Sequence, residues 1–279
     1  MKILVPHHMD QALEMKQQYG DEAQVLAGGQ SLSVLLQKRL VSPEVLIYLG
    51  EIEELNNLTV SEEQVRFGAM VTNARLEYSN ELKKVAPLLS HICSVVASPH
   101  VRNLGTVVGN LCHAEVGTDP PQALLALDAQ ICARSSKGTR WIPVINFITD
   151  FFETTLKANE IATEITLNPL KCKSTYFKHR VRSMDLAIAS VAIAIQIQAG
   201  KIAVARIAIG GVGPKPIRAL NTESSLIGIT PEAAIENADD FGSSASIEAN
   251  PSLSDSFAPV KYRKHLVGVA VSKGIRQIL

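Results

Sequence analysis

At 279 residues the chain is longer than one compact core usually organises, so two domains are the default expectation. Hydrophobic residues at 46% and charged residues at 19% exclude a disordered chain. The 27 Lys and Arg balance the 27 Asp and Glu, which excludes the basic surface that nucleic acid or an anionic membrane selects. A neutral chain is also poorly protected against association, which suits life inside a complex.

Residues 1–8 carry too short an apolar run for a signal peptide. The longest apolar stretch, 186–197, is interrupted by Ser190 and Gln196 and falls short of the ~20 residues a spanning helix needs. The expectation is therefore a soluble, cytoplasmic protein without membrane insertion. Cys93, Cys112, Cys132 and Cys172 are irregularly spaced, and no two are separated by two residues. Neither an iron–sulfur nor a zinc site is expected, and each thiol reads as a small buried hydrophobe.

In chain order, residues 3–5 read as a strand, and Asp10 as the cap of a helix reaching Tyr19. A strand over 24–27 runs into Gly28 and Gly29, then a helix with Leu32, Leu35, Leu36 and Leu40 on one face. Strands follow over 45–49 and 65–69, with Thr72 capping a helix that contains Leu76. Pro87 opens a longer helix that Ser98 and Pro99 terminate, and residues 102–110 form a second glycine-punctuated turn. Pro120 and Pro121 begin a helix carrying Leu124, Leu125 and Leu127, before strands near 129–133 and 161–167. Past residue 170 the pattern changes. Val191, Ile193, Ile195 and Ile197 alternate with small or polar residues, the period of a half-buried strand that turns back at Gly200 into 202–209. Helices near 224–228 and 262–275 would pack on this hairpin, and the Ser- and Ala-rich 242–255 reads as a surface loop.

The strongest local signal is Leu26, Ala27, Gly28, Gly29, Gln30, Ser31 and Leu32. Glycines between a strand and a helix adopt conformations closed to other residues and leave N–H groups free to cradle an anion such as a pyrophosphate. A tight turn with no ligand explains the fragment as well, since it is neither GxGxxG nor a Walker loop. Thr106, Val107, Val108, Gly109 and Asn110 repeat the physics more weakly. Asp119 either accepts hydrogen bonds from a ligand or caps the helix that Pro120 begins. His113 reads as a hydrogen-bonding loop residue rather than an acid or base.

Taken together in order, these residues resemble the FAD-binding medium subunits of molybdenum hydroxylases, the family of xanthine dehydrogenase and aerobic carbon monoxide dehydrogenase. The resemblance runs through residues 26–32, 42–47, 68–69, 101–111, Asp119, 176–178, 209–218 and 262–266, and so spans the whole chain. It implies an α+β protein: a two-subdomain FAD-binding domain of the vanillyl-alcohol-oxidase and molybdopterin-dehydrogenase type over 1–170, divided near 56, plus a C-terminal antiparallel sheet with helices over 171–279. It implies that 27–31 hold the pyrophosphate, that 106–110 contribute from the second subdomain, and that Asp119 lies near the ribityl or adenosine part. Leu26, Leu32 and Ala162 are counted with the cofactor contacts. Lys178 matches a lysine that approaches the flavin in relatives; the alternative is an exposed strand lysine. Val108 stands where several relatives carry a glycine, and Leu186 where some carry an aromatic ring.

The function implied is electron transfer by non-covalent FAD. Molybdopterin is expected on a large partner and [2Fe-2S] clusters on a small one, in a dimer of heterotrimers that serves an external acceptor. No catalytic base is assigned. The alternative is a self-contained FAD-dependent oxidase or dehydrogenase with substrate at the flavin face.

Overall fold

In the computed structural model, which describes residues 1–250 and 252–279, short apolar runs between turn residues build three main sheets. The strands β1 (Lys2–Leu4), β2 (Ala23–Leu26) and β3 (Val45–Tyr48) pair in parallel in the order β1-β3-β2. Parallel neighbours need crossovers, and α1 (Met9–Tyr19) and the short α2 (Leu32–Gln37) supply them. Met9, Ala12, Leu13 and Lys16 recur at helical spacing and form the buried stripe of α1. The buried Lys16 stem ends in an ammonium that donates to the carbonyls of Gly20 and Ala23, both at 2.7 Å.

The second sheet is antiparallel and contains β4 (Leu58–Val60), β5 (Val65–Gly68), β6 (Gln130–Ser135) and β7 (Gly138–Pro143). A small hairpin of β8 (Ile148–Asp150) and β9 (Glu153–Thr154) precedes β10 (Ile161–Leu167), which completes the order β4-β5-β10-β6-β7. Between β5 and β6 the chain is cut into short helices: α3 (Asn73–Tyr78), α4 (Asn80–Val85), α5 (Pro87–Ser94), α6 (Pro99–Leu104), α7 (Val107–His113) and α8 (Pro120–Ala126). Capping explains the cuts. The hydroxyls of Thr72, Ser79, Ser98 and Thr106 accept from the N–H groups of Arg75, Leu82, Val101 and Gly109 respectively, each restarting the helix. Ser98 and Pro99 therefore open α6 instead of closing a long helix, and the second glycine motif is helical from Val107 onward rather than a turn throughout.

The third sheet runs β11 (Lys173–His179), β12 (Ala189–Gln198), β13 (Lys201–Gly210) and β14 (Ile217–Arg218) in order, all antiparallel. The helices α9 (Leu220–Leu226), α10 (Pro231–Glu236), α11 (Ala238–Glu248) and α12 (Val260–Ile278) accompany it. The expected alternation of β12 is present, but the strand is buried on both faces. Val191, Ile193 and Ile195 enter a core with Val267, Ala270, Val271 and Ile275 of α12. Ala192 and Ala194 join Ala208 and Tyr176 in the core of the first two sheets. Alanine on that face lets α8 pack closely on β12 and β13.

The expected loop over 242–255 is corrected: 238–248 is the helix α11, while Pro251 lies outside the described residues. Small residues read as loop chemistry in the sequence, yet here they make a helix–helix seam. A Cβ on Gly242 would lie 2.4 Å from the Gly268 carbonyl oxygen of α12. Gly242→Val must therefore push α11 from α12 and cost about 1–3 kcal/mol, the usual range for overpacking. Denaturant unfolding measures this; Ser243→Ala, on the exposed side of α11, stays within about 0.5 kcal/mol of the parent.

Candidate functional site

The first glycine turn follows β2 directly. Leu26 ends the strand, Ala27 to Ser31 form the turn, and Leu32 starts α2. Gly29 has φ +68°, a left-handed value that favours glycine. Among the described residues, the backbone N–H groups of Gly28, Gly29, Gln30 and Ser31 find no acceptor within the chain. The Ser31 hydroxyl does not cap α2 either, so it adds a further uncommitted donor. Half-buried N–H groups in a row need partners, and an anion satisfies several at once.

The second motif starts at Gly105. Thr106 precedes α7, and its hydroxyl takes the Gly109 N–H at 3.1 Å. Val107 and Val108 occupy the first turn, where N–H groups have no intrahelical partner. The Asn110 side-chain oxygen is buried without a donor among the described residues.

These motifs touch. A Cβ on Gly28 would lie 1.9 Å from the Leu104 carbonyl oxygen and 3.0 Å from Gly105 Cα. One on Gly109 would lie 3.9 Å from the Ala27 methyl. The backbone of the first sheet's turn is thus pressed against the entry to α7, and both donor rows border one seam. Ala162 is a buried residue of β10, the strand on which α7 packs. Uncommitted donors on both sides of the seam are what a dinucleotide pyrophosphate requires.

Asp119 and Lys178 form a separate constellation. Asp119 precedes α8 but makes no side-chain cap. Its carboxylate instead accepts from the Tyr176 hydroxyl at 2.6 Å and from the Lys178 ammonium at 2.7 Å. The helix-cap reading gives way to this pairing. Lys178 donates also to the Val95 carbonyl at 3.3 Å and is almost fully enclosed, not an exposed strand lysine. Burial pushes the Asp119 carboxyl above its ordinary range, against the pull of Lys178 and the hydrogen bonds of both donors. Burial and the neighbouring carboxylate push the Tyr176 phenol well above its ordinary value, which keeps it a donor. This group is linked to the glycine seam through the packing of α7 on α8 and of α3 on α5. Tyr176 was not assigned a role from the sequence; its place two residues from Lys178, on the same strand face, is the signal that finds it.

The far end of α8 is held as well. Arg218 donates to the Leu125 carbonyl at 3.1 Å and to Asp128 at 2.7 Å, and Arg206 donates to the Ala126 carbonyl at 3.3 Å. His113 pairs with Glu115 at 3.2 Å and lies against the Phe152 ring with centroids 5.2 Å apart. Burial pushes the Cys112 thiol up to about 12, which makes it a poor nucleophile toward a flavin. No helix among the described residues is long and apolar enough to cross a membrane.

Residues 1–169 match the family described as the FAD binding domain in molybdopterin dehydrogenase, and residues 174–278 the CO dehydrogenase flavoprotein C-terminal domain. The chain is 32% identical over 259 residues to the glyceraldehyde dehydrogenase medium chain of Sulfolobus acidocaldarius, covering 92% of this chain and 91% of that protein. It is 29% identical to the carbon monoxide dehydrogenase medium chain of Hydrogenophaga pseudoflava, covering 97% and 94%. Among solved structures, quinoline 2-oxidoreductase of Pseudomonas putida 86 superposes with a TM-score of 0.92 at 27% identity, covering 99% of this chain and 95% of that one. Three sheets with facing glycine turns, under these matches, define an FAD-binding flavoprotein of α+β architecture. The chain belongs to the medium, FAD-binding subunits of the molybdenum hydroxylases and is an oxidoreductase subunit.

Asp119→Ala leaves the enclosed Lys178 ammonium without its carboxylate and should cost about 3–5 kcal/mol. Tyr176→Phe removes one hydrogen bond to a charged acceptor and should cost about 1.5–3 kcal/mol. Denaturant unfolding of both variants checks the order; equal or negligible losses would contradict the pairing.

Proposed function

We propose that this chain is the electron-transfer subunit of a heterotrimeric molybdenum-containing hydroxylase or dehydrogenase. It would accept electrons from iron–sulfur clusters on a small partner and pass them to an external acceptor. Molybdopterin and the substrate pocket would belong to a large partner. We propose further that residues 1–170 hold the flavin and 171–279 form a C-terminal domain, in a dimer of heterotrimers in the cytoplasm. The observation that carries the reading is the row of uncommitted N–H groups from Gly28 to Ser31, pressed against the entry to α7. The similarity to chains named as medium chains, and to a subunit of the 6-hydroxypseudooxynicotine dehydrogenase complex of Paenarthrobacter nicotinovorans, supports membership of a larger assembly.

In this reading FAD, when bound, supplies the redox chemistry, and the protein's part is to hold and orient it. The turn from Ala27 to Ser31 and the first turn of α7 would take the pyrophosphate. Backbone donors fixed by secondary structure need no reorganisation to bind a charged group. No catalytic base is assigned in this reading: His113 is engaged by Glu115 and Phe152, and Asp119 by Lys178 and Tyr176.

Gly28→Val tests the site. Its side chain meets the Leu104 carbonyl, so flavin bound per chain should fall below about a tenth of the parent value, a loss of at least ~1.4 kcal/mol in affinity. Flavin absorbance after gel filtration measures it, and Leu40→Ser, at an exposed position, should keep the parent content. Mild purification from the native source tests the assignment. A large chain and a cysteine-rich small chain, with flavin and iron–sulfur absorbance in one species, are expected. A lone flavoprotein that a small substrate reduces directly would move the chemistry onto this chain's own flavin face.

A further inference from the structure

Asn73 belongs to neither glycine motif, yet it is attached to the point where they meet. It is the first residue of α3 and only 2% exposed. Its backbone N–H donates to the Gly105 carbonyl at 2.9 Å, and its Nδ2 donates to the same oxygen at 2.7 Å. A β-bridge between Thr72 and Thr106 continues the contact by one residue. The space a Gly105 Cβ would fill is bounded by the Val101 carbonyl oxygen at 2.8 Å, Gln30 Cγ at 3.4 Å and Asn73 Nδ2 at 3.6 Å. Asn73 and the first glycine turn therefore both meet at Gly105.

Two consequences follow from that placement. The Leu104 carbonyl and Gly105 Cα form the wall against which Gly28 lies, so fixing Gly105 fixes the first turn. Thr106 comes next, and its hydroxyl caps α7 and sets the direction of the Val107 and Val108 N–H groups. Both donor rows thus adjoin Gly105, whose carbonyl takes two hydrogen bonds from Asn73. The arrangement has a cost. Asn73 Oδ1 is buried with no donor among the described residues, a loss of about 1–3 kcal/mol for a typical orphaned polar group. An apolar residue of similar size would avoid that cost but would leave the Gly105 carbonyl with the backbone N–H of residue 73 and no side-chain donor.

We propose that Asn73 is a positioning residue for the dinucleotide site: through its Nδ2 bond to Gly105 it sets the separation of the two glycine motifs and so the affinity for FAD. This rests on the reading that the seam binds FAD. Full-length flavin-free chain, titrated with FAD and followed by flavin fluorescence, is the test, with urea unfolding of each flavin-free variant alongside. Asn73→Ala removes the donor, Asn73→Asp keeps the shape but sets an oxygen against the Gly105 carbonyl, and Asn73→His restores a ring N–H at similar reach. The Ala and Asp variants should bind FAD about tenfold or more weakly, and the His variant within about threefold of the parent. A residue that serves stability alone would lower the unfolding midpoint and leave the Kd unchanged. Kd values for Ala and Asp within about twofold of the parent would overturn the proposal, as would a His variant no better than Ala. Should the parent chain itself take up no FAD, the reading beneath falls and the proposal with it.

Discussion

A buried carboxylate cannot be left without donors, and the two that Asp119 uses both come from strand β11. That requirement places the third sheet. Tyr176 and Lys178 lie on one face of the strand, so satisfying Asp119 ties β11 to the start of α8 while its sheet neighbours β12 and β13 pack on that helix. At the other end of α8 the free carbonyls of its last turn meet Arg206 and Arg218, and Arg218 is itself held by Glu223 at 2.7 Å. A helix of seven residues is thereby fixed at both ends by another sheet. Its own hydrogen bonds would not hold so short a helix in place.

The glycine seam depends on that rigidity at one remove. α8 packs on α7, and the first turn of α7 is one wall of the seam. The opposite wall is a turn that no side chain larger than hydrogen allows at Gly28. Neither wall is mobile by design: one is pressed on backbone, the other is capped by Thr106. Preformed donors suit a cofactor that stays bound, because the protein orders them on folding rather than on binding.

The sequence made much of this legible for reasons that are local. Gly28 and Gly29 after an apolar run announce a turn, and the alternation of 191–197 announces a strand. What stayed hidden depends on distance or on context. Ser98 and Pro99 are as good at starting a helix as at ending one, and only the bond from Val101 N–H to the Ser98 hydroxyl decides. Residues 238–248 carry loop-like Gly, Ser and Ala, and become a helix because Gly268 lies opposite. The fate of Asp119 was unreadable because its partners are 57 and 59 residues away. Its neighbour Pro120 supports a cap, and nothing local says that the carboxylate turns inward. The second face of β12 was missed for a similar reason: alanine looks solvent-tolerant until α8 covers it.

A site assembled from backbone N–H groups places few demands on side-chain identity. Glycine is needed where chains approach, a hydroxyl where a helix must restart, and elsewhere the requirement is only for a strand or a helix in the right place. Such a site tolerates wide sequence divergence. It also explains why the informative part of the sequence is so short. The motifs at 26–32 and 106–110 supply the uncommitted backbone donors, while Asn73 is fastened to the backbone between them without any motif of its own. Where backbone does the binding, the side chains that matter are those that hold the backbone, and these are visible only once the fold has brought them behind it.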